Sequence, residues 1–228
     1  GPAFRLWGAY AGLGGGSGGL VGLIVSASGG SIERSFSTGN VDSSYAGGLV
    51  GNILGGTTVN SSDNLFTIKN TYSTSAVTAQ DFYIDTELDG QPIKAGFSGI
   101  AGGLIGGSSG VNIENSYSSG IVRASNGVDY TGFEISSTYD LIGSMTPKGS
   151  IAGGLIGQYS QNYYSMLPPD YDTFYIANSY IKNSFTTSKG EGPSSGNKGS
   201  LVGIFYDYLS IALPLSGNAI NLDPNLLI

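Results

Sequence analysis

Two short patterns of small, apolar and polar residues alternate along the chain. The first, G-G-L-[VI]-G, occupies Gly18–Gly22, Gly47–Gly51, Gly102–Gly106 and Gly153–Gly157, with a degraded copy at Gly199–Gly203. The second, I-x-N-[ST]-[FY]-[ST]-[ST], begins at Ile32, Ile68, Ile113 and Ile181. Repeated units of this length cannot each bury an apolar face alone, so the pattern predicts stacked repeats that share one core.

Apolar and polar residues alternate with a period of two inside the second pattern, which is typical of a β-strand. In the copy IENSY this alternation places Ile113, Asn115 and Tyr117 on one face, and Glu114 and Ser116 on the other. A stack in register then gives three columns: Ile32, Ile68, Ile113 and Ile181; Phe36, Tyr72, Tyr117 and Phe185; Leu20, Leu49, Leu104, Leu155 and Leu201. The Asn position, held by Asn70, Asn115 and Asn183 but by Arg34 in the first copy, predicts an amide ladder.

The glycine blocks follow one another at intervals of 29, 55, 51 and 46 residues, so the elements are constant while the spacing varies. This favours a solenoid whose insertions leave as loops. With roughly 24 residues per coil and about 4.8 Å between coils, the chain is predicted to make roughly nine coils and a rod of about 45 Å. Paired glycines at the corners are predicted to supply positive φ angles and to let neighbouring backbones approach closely.

Composition narrows the fold class and the chemistry. The chain has 228 residues with 39 Gly, and each interior Gly costs a helix about 1 kcal/mol, so the fold class is predicted to be all-β. It has no Cys and no His, which removes disulfides, thiolate metal sites and the usual general base. A net charge of −7, with Lys and Arg spread singly, predicts no nucleic-acid partner and no binding to anionic lipid. No run of 18 apolar residues occurs, so no membrane insertion of this segment is predicted.

The stretch Gly12–Gly22 also satisfies G-x-G-x-x-G, the pattern of a dinucleotide-binding loop. That fingerprint needs a helix opening at its last glycine, whereas the residues that follow are β-branched and glycine-punctuated. The block also recurs downstream, while a cofactor loop occurs once. No cofactor is predicted.

The paired motifs, as in GGLIG followed by IENSYSSGIV, resemble the GLUG motif of large bacterial surface and secreted proteins. These include filamentous adhesins of the hemagglutinin type and some immunoglobulin A peptidases. The resemblance covers four good copies and one weak copy, from about Gly16 to Gly203, and departs from the motif at Arg34, Ser75 and the long insertions. It implies a right-handed parallel β-helix, a surface or secreted location, and no catalytic residues.

Acidic residues offer two further candidates. The segment Asp85–Gly90, DTELDG, resembles the opening of a calcium-binding loop, but its twelfth position is Gly96 instead of a bidentate Glu, so a solvated acidic insertion is favoured over a calcium site. The pairs Asp170 with Asp172 and Asp81 with Asp85 are carboxylates close in sequence, which alone is a weak signal for a glycosidase or lyase.

The insertion Gln158–Tyr175 carries the predicted contact residues, Tyr159, Tyr163, Tyr164, Tyr171 and Tyr175. Tyrosines on loops supply rigid, amphipathic contact area. The hypothesis is that they form a contact face together with the insertion Phe82–Phe97. The alternative is that the insertion folds back and covers the side of the rod.

Gly1–Pro2 has the form of a remnant left by a tag-removing protease, and residues 3–228 are predicted to form a single domain of about five repeats within a longer chain. The predicted function is a rod-like stalk and binding segment of a bacterial surface adhesin, on the cell surface or secreted, without enzyme activity. Its expected partners are a host-cell glycan or protein and the flanking domains of the same chain. The alternatives are a non-catalytic accessory region of a secreted peptidase, a carbohydrate-active β-helix, and a structural spacer.

Overall fold

The computed structural model of the protein describes residues 16–26, 29–55, 65–88, 91–97, 99–125, 132–134, 150–160, 180–192 and 197–206. All regular structure in these ranges is β-strand, which confirms the all-β prediction for this part of the chain. None of the described residues forms a helix that could cross a membrane.

The strands fall into successive coils of five short strands each. The first coil contains β1 (Ser17–Gly18), β2 (Val21–Ser26), β3 (Gly30–Glu33), β4 (Phe36–Ser37) and β5 (Asn40–Ser43). The second contains β6 (Tyr45–Gly47), β7 (Val50–Gly55), β8 (Phe66–Lys69), β9 (Tyr72–Ser73) and β10 (Ala76–Ala79), and is followed by β11 (Phe82–Leu88) and β12 (Gln91–Phe97). The third contains β13 (Ile100–Gly102), β14 (Ile105–Ser109), β15 (Val111–Glu114), β16 (Tyr117–Ser118) and β17 (Val122–Ala124), and is followed by β18 (Gly132–Glu134). The fourth contains β19 (Ile151–Gly153), β20 (Ile156–Ser160), β21 (Ile181–Lys182), β22 (Phe185–Thr186) and β23 (Gly190–Glu191), and the fifth coil begins with β24 (Asn197–Gly199) and β25 (Val202–Tyr206).

Strands at the same place in successive coils pair in parallel and build five sheets, numbered here by their place in the coil. Sheet 1 has the order β1-β6-β13-β19-β24, sheet 2 β2-β7-β14-β20-β25, sheet 3 β3-β8-β15-β21, sheet 4 β4-β9-β16-β22 and sheet 5 β5-β10-β17-β23. Ala46 pairs with Ala101, and Ala101 with Ala152, so the steps match the intervals between glycine blocks. Each pair of motifs therefore makes one coil.

The predicted coil length was wrong. Each coil takes 29 to 55 residues instead of roughly 24, and the described residues make four coils and the first two strands of a fifth instead of roughly nine. The physical reason is that the long insertions leave the coil between two sheets and add no level to the stack, as the variable spacing of otherwise constant motifs requires.

The predicted columns of repeated side chains are confirmed. Ile113 pairs with Ile68 on one side and with Ile181 on the other, and Ile32 completes the column. The leucine column is held by backbone bonds from each Leu N–H to the next Leu carbonyl, as from Leu104 to Leu155 at 2.7 Å. Ile113 is fully buried, and burial of such a side chain contributes about 2–3 kcal/mol.

The core has two unequal parts. Sheets 2 and 3 and the leucine column supply large aliphatic side chains such as Ile53, Leu104 and Ile156. Sheets 1 and 5 supply small ones, mainly Ala and Val, such as Ala101 and Val122.

The first two glycines of each block are required by close approach of backbones. A Cβ placed on Gly102 would lie 1.8 Å from the Ile105 carbonyl oxygen and 2.5 Å from the Gly157 nitrogen of the next coil. The predicted positive φ angles are absent from these blocks, because the described glycines with positive φ are Gly29, Gly30 and Gly110. These glycine positions are thus places where no side chain fits, and they are not left-handed turns.

Two insertions meet in a small antiparallel sheet beside the stack. Strand β11 pairs with β12, and β12 pairs with β18, which comes from the next insertion along the chain. Asp81 stands at the base of the first insertion, where its carboxylate accepts hydrogen bonds from the Gly99 N–H at 3.0 Å and the Ser125 hydroxyl at 2.8 Å. This carboxylate therefore anchors the insertion to the stack.

Candidate functional site

Four aromatic side chains form a continuous row along sheet 4, called here the aromatic ladder: Phe36, Tyr72, Tyr117 and Phe185. Consecutive ring centroids lie 5.1, 5.1 and 5.2 Å apart, and consecutive ring planes differ by only 6° to 7°. Parallel rings at this centroid distance are offset rather than directly face to face. The predicted aromatic column is therefore confirmed as a physical stack of rings.

The ladder faces outward, which the period-two alternation does not predict. Asn115 has a φ of 46°, in the left-handed region, and this turn between β15 and β16 shifts the alternation by one residue. Ile113 and Ser116 are consequently buried, while Asn115 is exposed and Tyr117 is half-buried. The prediction that Ile113, Asn115 and Tyr117 share one face is wrong for this reason.

The end rings of the ladder are more exposed than the middle ones. Phe36 and Phe185 are each 57% exposed, whereas Tyr72 and Tyr117 are half-buried because each is covered by a ring on both sides. Exposed aromatic side chains of this size are uncommon on a surface with no partner, and a contiguous row of them marks a candidate binding surface.

A row of turn residues runs along one side of the ladder, here called the turn row: Arg34, Asn70, Asn115 and Asn183, all exposed. All four have left-handed backbones, with φ between 46° and 53°. Asn is favoured there because its short side chain tolerates that conformation. The Asn115 amide donates to the Asn70 side-chain oxygen at 3.3 Å, which confirms the amide ladder for this pair.

Exposed hydroxyl groups run along the other side of the ladder, here called the hydroxyl row: Thr38, Thr74, Ser119 and Thr187. Their backbones are tied across coils, as by the bond from the Thr74 N–H to the Ser37 carbonyl at 3.0 Å. The ladder thus lies between a row that is mainly amide and a row that is entirely hydroxyl.

Buried hydroxyls beneath the ladder connect the two sequence motifs. The Ser118 hydroxyl donates to the Gly154 carbonyl of a glycine block at 2.6 Å, and the Ser37 hydroxyl donates to the Gly48 carbonyl in the same way. Ser37 and Ser118 directly follow Phe36 and Tyr117, so each of these bonds fixes the backbone that carries a ring. The ladder is therefore held on a rigid base.

An alternating charge row occupies the outer face of sheet 3: Glu33, Lys69, Glu114 and Lys182, paired in that order. Lys69 Nζ lies 3.2 Å from Glu114 Oε2. The Tyr180 hydroxyl donates to the other oxygen of Glu114, and this bond, with the Lys69 contact, lowers the pKa of Glu114. The same bond raises the pKa of Tyr180. If a strand of sheet 3 paired with the next strand but one, like charges would lie side by side. The charge row therefore favours the observed order of strands.

Of the five predicted contact tyrosines, the structure describes Tyr159. Tyr159 lies in β20 and is only 3% exposed, with its hydroxyl 3.4 Å from the Val111 carbonyl, so its ring belongs to the core. Tyr163, Tyr164, Tyr171 and Tyr175 lie outside the described residues, and the hypothesis that they contact a partner stays a prediction. The aromatic column was visible in the sequence, but its exposure was missed because the turn at the Asn position was not recognised.

Of the acidic candidates, Asp81 anchors the first insertion through its carboxylate, and Asp85 is described by its backbone alone. Asp85 and Glu87 lie in β11, where the backbone is extended and paired with β12, and Asp89, Gly90, Asp170 and Asp172 lie outside the described residues. Within the described ranges, no group of three or more Asp or Glu residues is placed to hold a metal ion.

Comparisons of this chain with protein-family models, with curated proteins and with solved structures found no match. The resemblance to the GLUG motif stays a hypothesis carried by the two repeated motifs.

Proposed function

We propose that this chain is the stalk and binding segment of a bacterial surface adhesin, folded as a right-handed parallel β-helix, with the aromatic ladder as part of its contact face. The single observation that carries the proposal is the outward row of four stacked rings. Aromatic rings supply large contact area at a low cost in conformational entropy, which is why they dominate recognition surfaces.

The stalk role is supported by how each coil is fastened to the next. Parallel pairing in five sheets, the buried hydroxyls under the ladder and the alternating charge row all repeat at each level. Stability in such a stack is approximately a sum over neighbouring coils, so coils can be added without changing the surface that each one presents. A stiff rod of this kind holds a binding surface away from the structure that anchors it.

The surface or secreted location belongs to the same proposal. It is supported by the resemblance of the motifs to the GLUG repeat.

The test compares three forms of the protein, which are the parent, a ladder variant and a control, for binding to cultured epithelial cells and to immobilised immunoglobulin A. The ladder variant replaces Phe36 and Phe185 with Ser, and both side chains are already more than half exposed. The control, Val25→Ser, removes an apolar side chain that is 73% exposed on sheet 2, away from the ladder. Thermal melts establish that all three forms are folded.

We expect cell binding to fall by about ten-fold or more in the ladder variant and to be unchanged in the control. A ten-fold fall corresponds to the loss of about 1.4 kcal/mol of binding free energy. Equal cell binding by the ladder variant and the parent would overturn the proposed contact face. Selective binding to immunoglobulin A would favour an accessory region of a secreted peptidase, and binding to neither target would favour a structural spacer.

A further inference from the structure

The dimensions of the ladder define the shape of the ligand that it suits. Three intervals of 5.1, 5.1 and 5.2 Å give a row of rings about 15 Å long. The turn row and the hydroxyl row stand two residues to either side, and the backbone of the turn row is left-handed, so the strip formed by the three rows is at most roughly 13 Å wide at about 3.3 Å per residue. The strip therefore presents at most roughly 200 Å², whereas a stable protein interface buries about 800 Å² on each partner. A thin ligand fits this strip better than the face of a globular protein.

The charge of the strip favours a neutral ligand. Seven of the eight flanking residues carry amide or hydroxyl groups, and Arg34 is the one charged member. The chain as a whole has a net charge of −7, which repels a polyanion at low ionic strength. Amides and hydroxyls both donate and accept hydrogen bonds, so the complementary ligand is uncharged and rich in hydroxyl groups.

The repeat of the strip favours a polymer. Each of the four coils whose five strands the structure describes offers one turn residue, one ring and one hydroxyl, and the next of them offers the same set about 4.8 Å further along. An extended β-1,4-linked polysaccharide advances by nearly the same distance per sugar. It is neutral, its edges carry hydroxyl groups, and its sugar faces carry C–H groups that pack against aromatic rings. An α-1,4-linked chain coils instead, and so cannot stay in register with a straight row.

We propose that the ladder binds a single extended, neutral, β-1,4-linked polysaccharide strand that lies parallel to the axis of the stack, with one sugar per coil. The parts of the rings that the offset stack leaves uncovered contact C–H groups of the sugars. The Asn amides and the Thr and Ser hydroxyls bond to sugar hydroxyls on either side. This inference rests on the proposed function and names the ligand class of the same surface.

The experiment is calorimetric titration of the protein with β-1,4-linked glucose and N-acetylglucosamine oligomers of two to six sugars. Oligomers of α-1,4-linked glucose of equal length serve as the control ligands. Affinity is expected to rise with each added sugar up to four, the number of rings, and then to level off. The α-linked oligomers should bind at least about ten-fold more weakly. Replacing Tyr72 and Tyr117 with Leu keeps apolar bulk but removes two rings, and should weaken binding about ten-fold or more, because Leu lacks the large, rigid contact area of a ring.

A second variant, Thr74→Val, removes only an exposed hydroxyl from the strip and should weaken binding several-fold even if the double Leu variant fails to fold. The Val25→Ser control should bind as the parent does. The inference is overturned if no β-linked oligomer binds at millimolar concentration or if α- and β-linked oligomers bind equally. It is also overturned if the double Leu variant and the Thr74→Val variant are folded and keep full affinity.

The two proposals fail separately. If cell binding depends on Phe36 and Phe185 but no oligomer binds, the contact face stands and the ligand class is wrong. If oligomers bind with the expected dependence on length while cell binding ignores the ladder, the ligand class stands and the adhesin role is wrong.

Discussion

The glycine blocks provide a direct test of the close approach between coils, and Gly103 is the position to change. A Cβ at Gly103 would lie 2.0 Å from the Gly154 carbonyl oxygen of the next coil and 2.7 Å from the Ser118 hydroxyl oxygen. Both atoms belong to the buried bond from Ser118 to Gly154. The substitution Gly103→Ala must therefore push two coils apart or break that bond.

The expected cost has two parts. Overpacking a well-packed core costs about 1–3 kcal/mol, and leaving a buried carbonyl without its donor costs about 1–3 kcal/mol more. The two parts together make about 2–6 kcal/mol, a large share of the typical stability of a domain, which is about 5–15 kcal/mol. For a chain of this length, at about 2–4 °C per kcal/mol, that corresponds to a fall of about 4–24 °C in the melting temperature.

The matched control is Gly39→Ala, where an added Cβ has no atom within 4 Å and the φ angle is not positive. This change should raise stability by about 0.4–1 kcal/mol, because it lowers the entropy of the unfolded chain. Thermal melts followed by circular dichroism measure both variants. If the Gly103→Ala protein melts within a degree or two of the parent, the close approach of coils is not what requires glycine in the blocks.

Three further predictions concern single side chains. Arg34→Asn should raise stability by about 0.5–1 kcal/mol, because Arg34 holds the same left-handed backbone as its three Asn equivalents at a higher cost. Ser108→Ala should raise stability by about 1 kcal/mol or more, because the Ser108 hydroxyl is buried and finds no partner within the part of the chain that the structure describes. Glu114→Gln should flatten the pH dependence of the melting temperature on the acid side. The lowered pKa of Glu114 in the folded state means that its contribution is present above the unfolded pKa of about 4.3 and is lost as the pH falls below that value and through the lower folded pKa.

Each of these has an outcome that contradicts it. A lower melting temperature for Arg34→Asn would show that the Arg side chain makes contacts worth more than the relief of backbone strain. A lower melting temperature for Ser108→Ala would show that the hydroxyl is satisfied in the folded protein. An acid-side melting profile of Glu114→Gln that matches the parent would show that the bonds from Tyr180 and Lys69 carry no stability.

Much of the fold could be predicted from the sequence, because repeated motifs fix which residues share a column. The isoleucine, aromatic and leucine columns follow from aligning the copies, since a stack in register places equivalent residues together whatever the insertions do. The number of coils could not be read in the same way. Coil length depends on which part of each interval leaves the stack, and the pattern of motifs alone does not mark where an insertion begins.

The candidate site was missed because one backbone angle decides which face a side chain takes. A left-handed residue at Asn115 changes the alternation, so Tyr117 faces solvent although a continuous strand would bury it with Ile113. A signal was present: Asn recurs at this position in three of four copies, and Asn is the residue most tolerant of left-handed turns after Gly. The burial of Tyr159 shows the opposite error, since its ring belongs to the core of β20 and not to the insertion that follows.

The proposed contact face is tested most directly by covalent side-chain labelling read by mass spectrometry, with the protein free and then bound to cells. Binding is expected to lower the labelling of Phe36, Tyr72, Tyr117 and Phe185 and to leave the labelling of exposed Val25 unchanged. Unchanged labelling of the four rings in the bound protein, with protection at other sites, would show that the ladder is not the contact face.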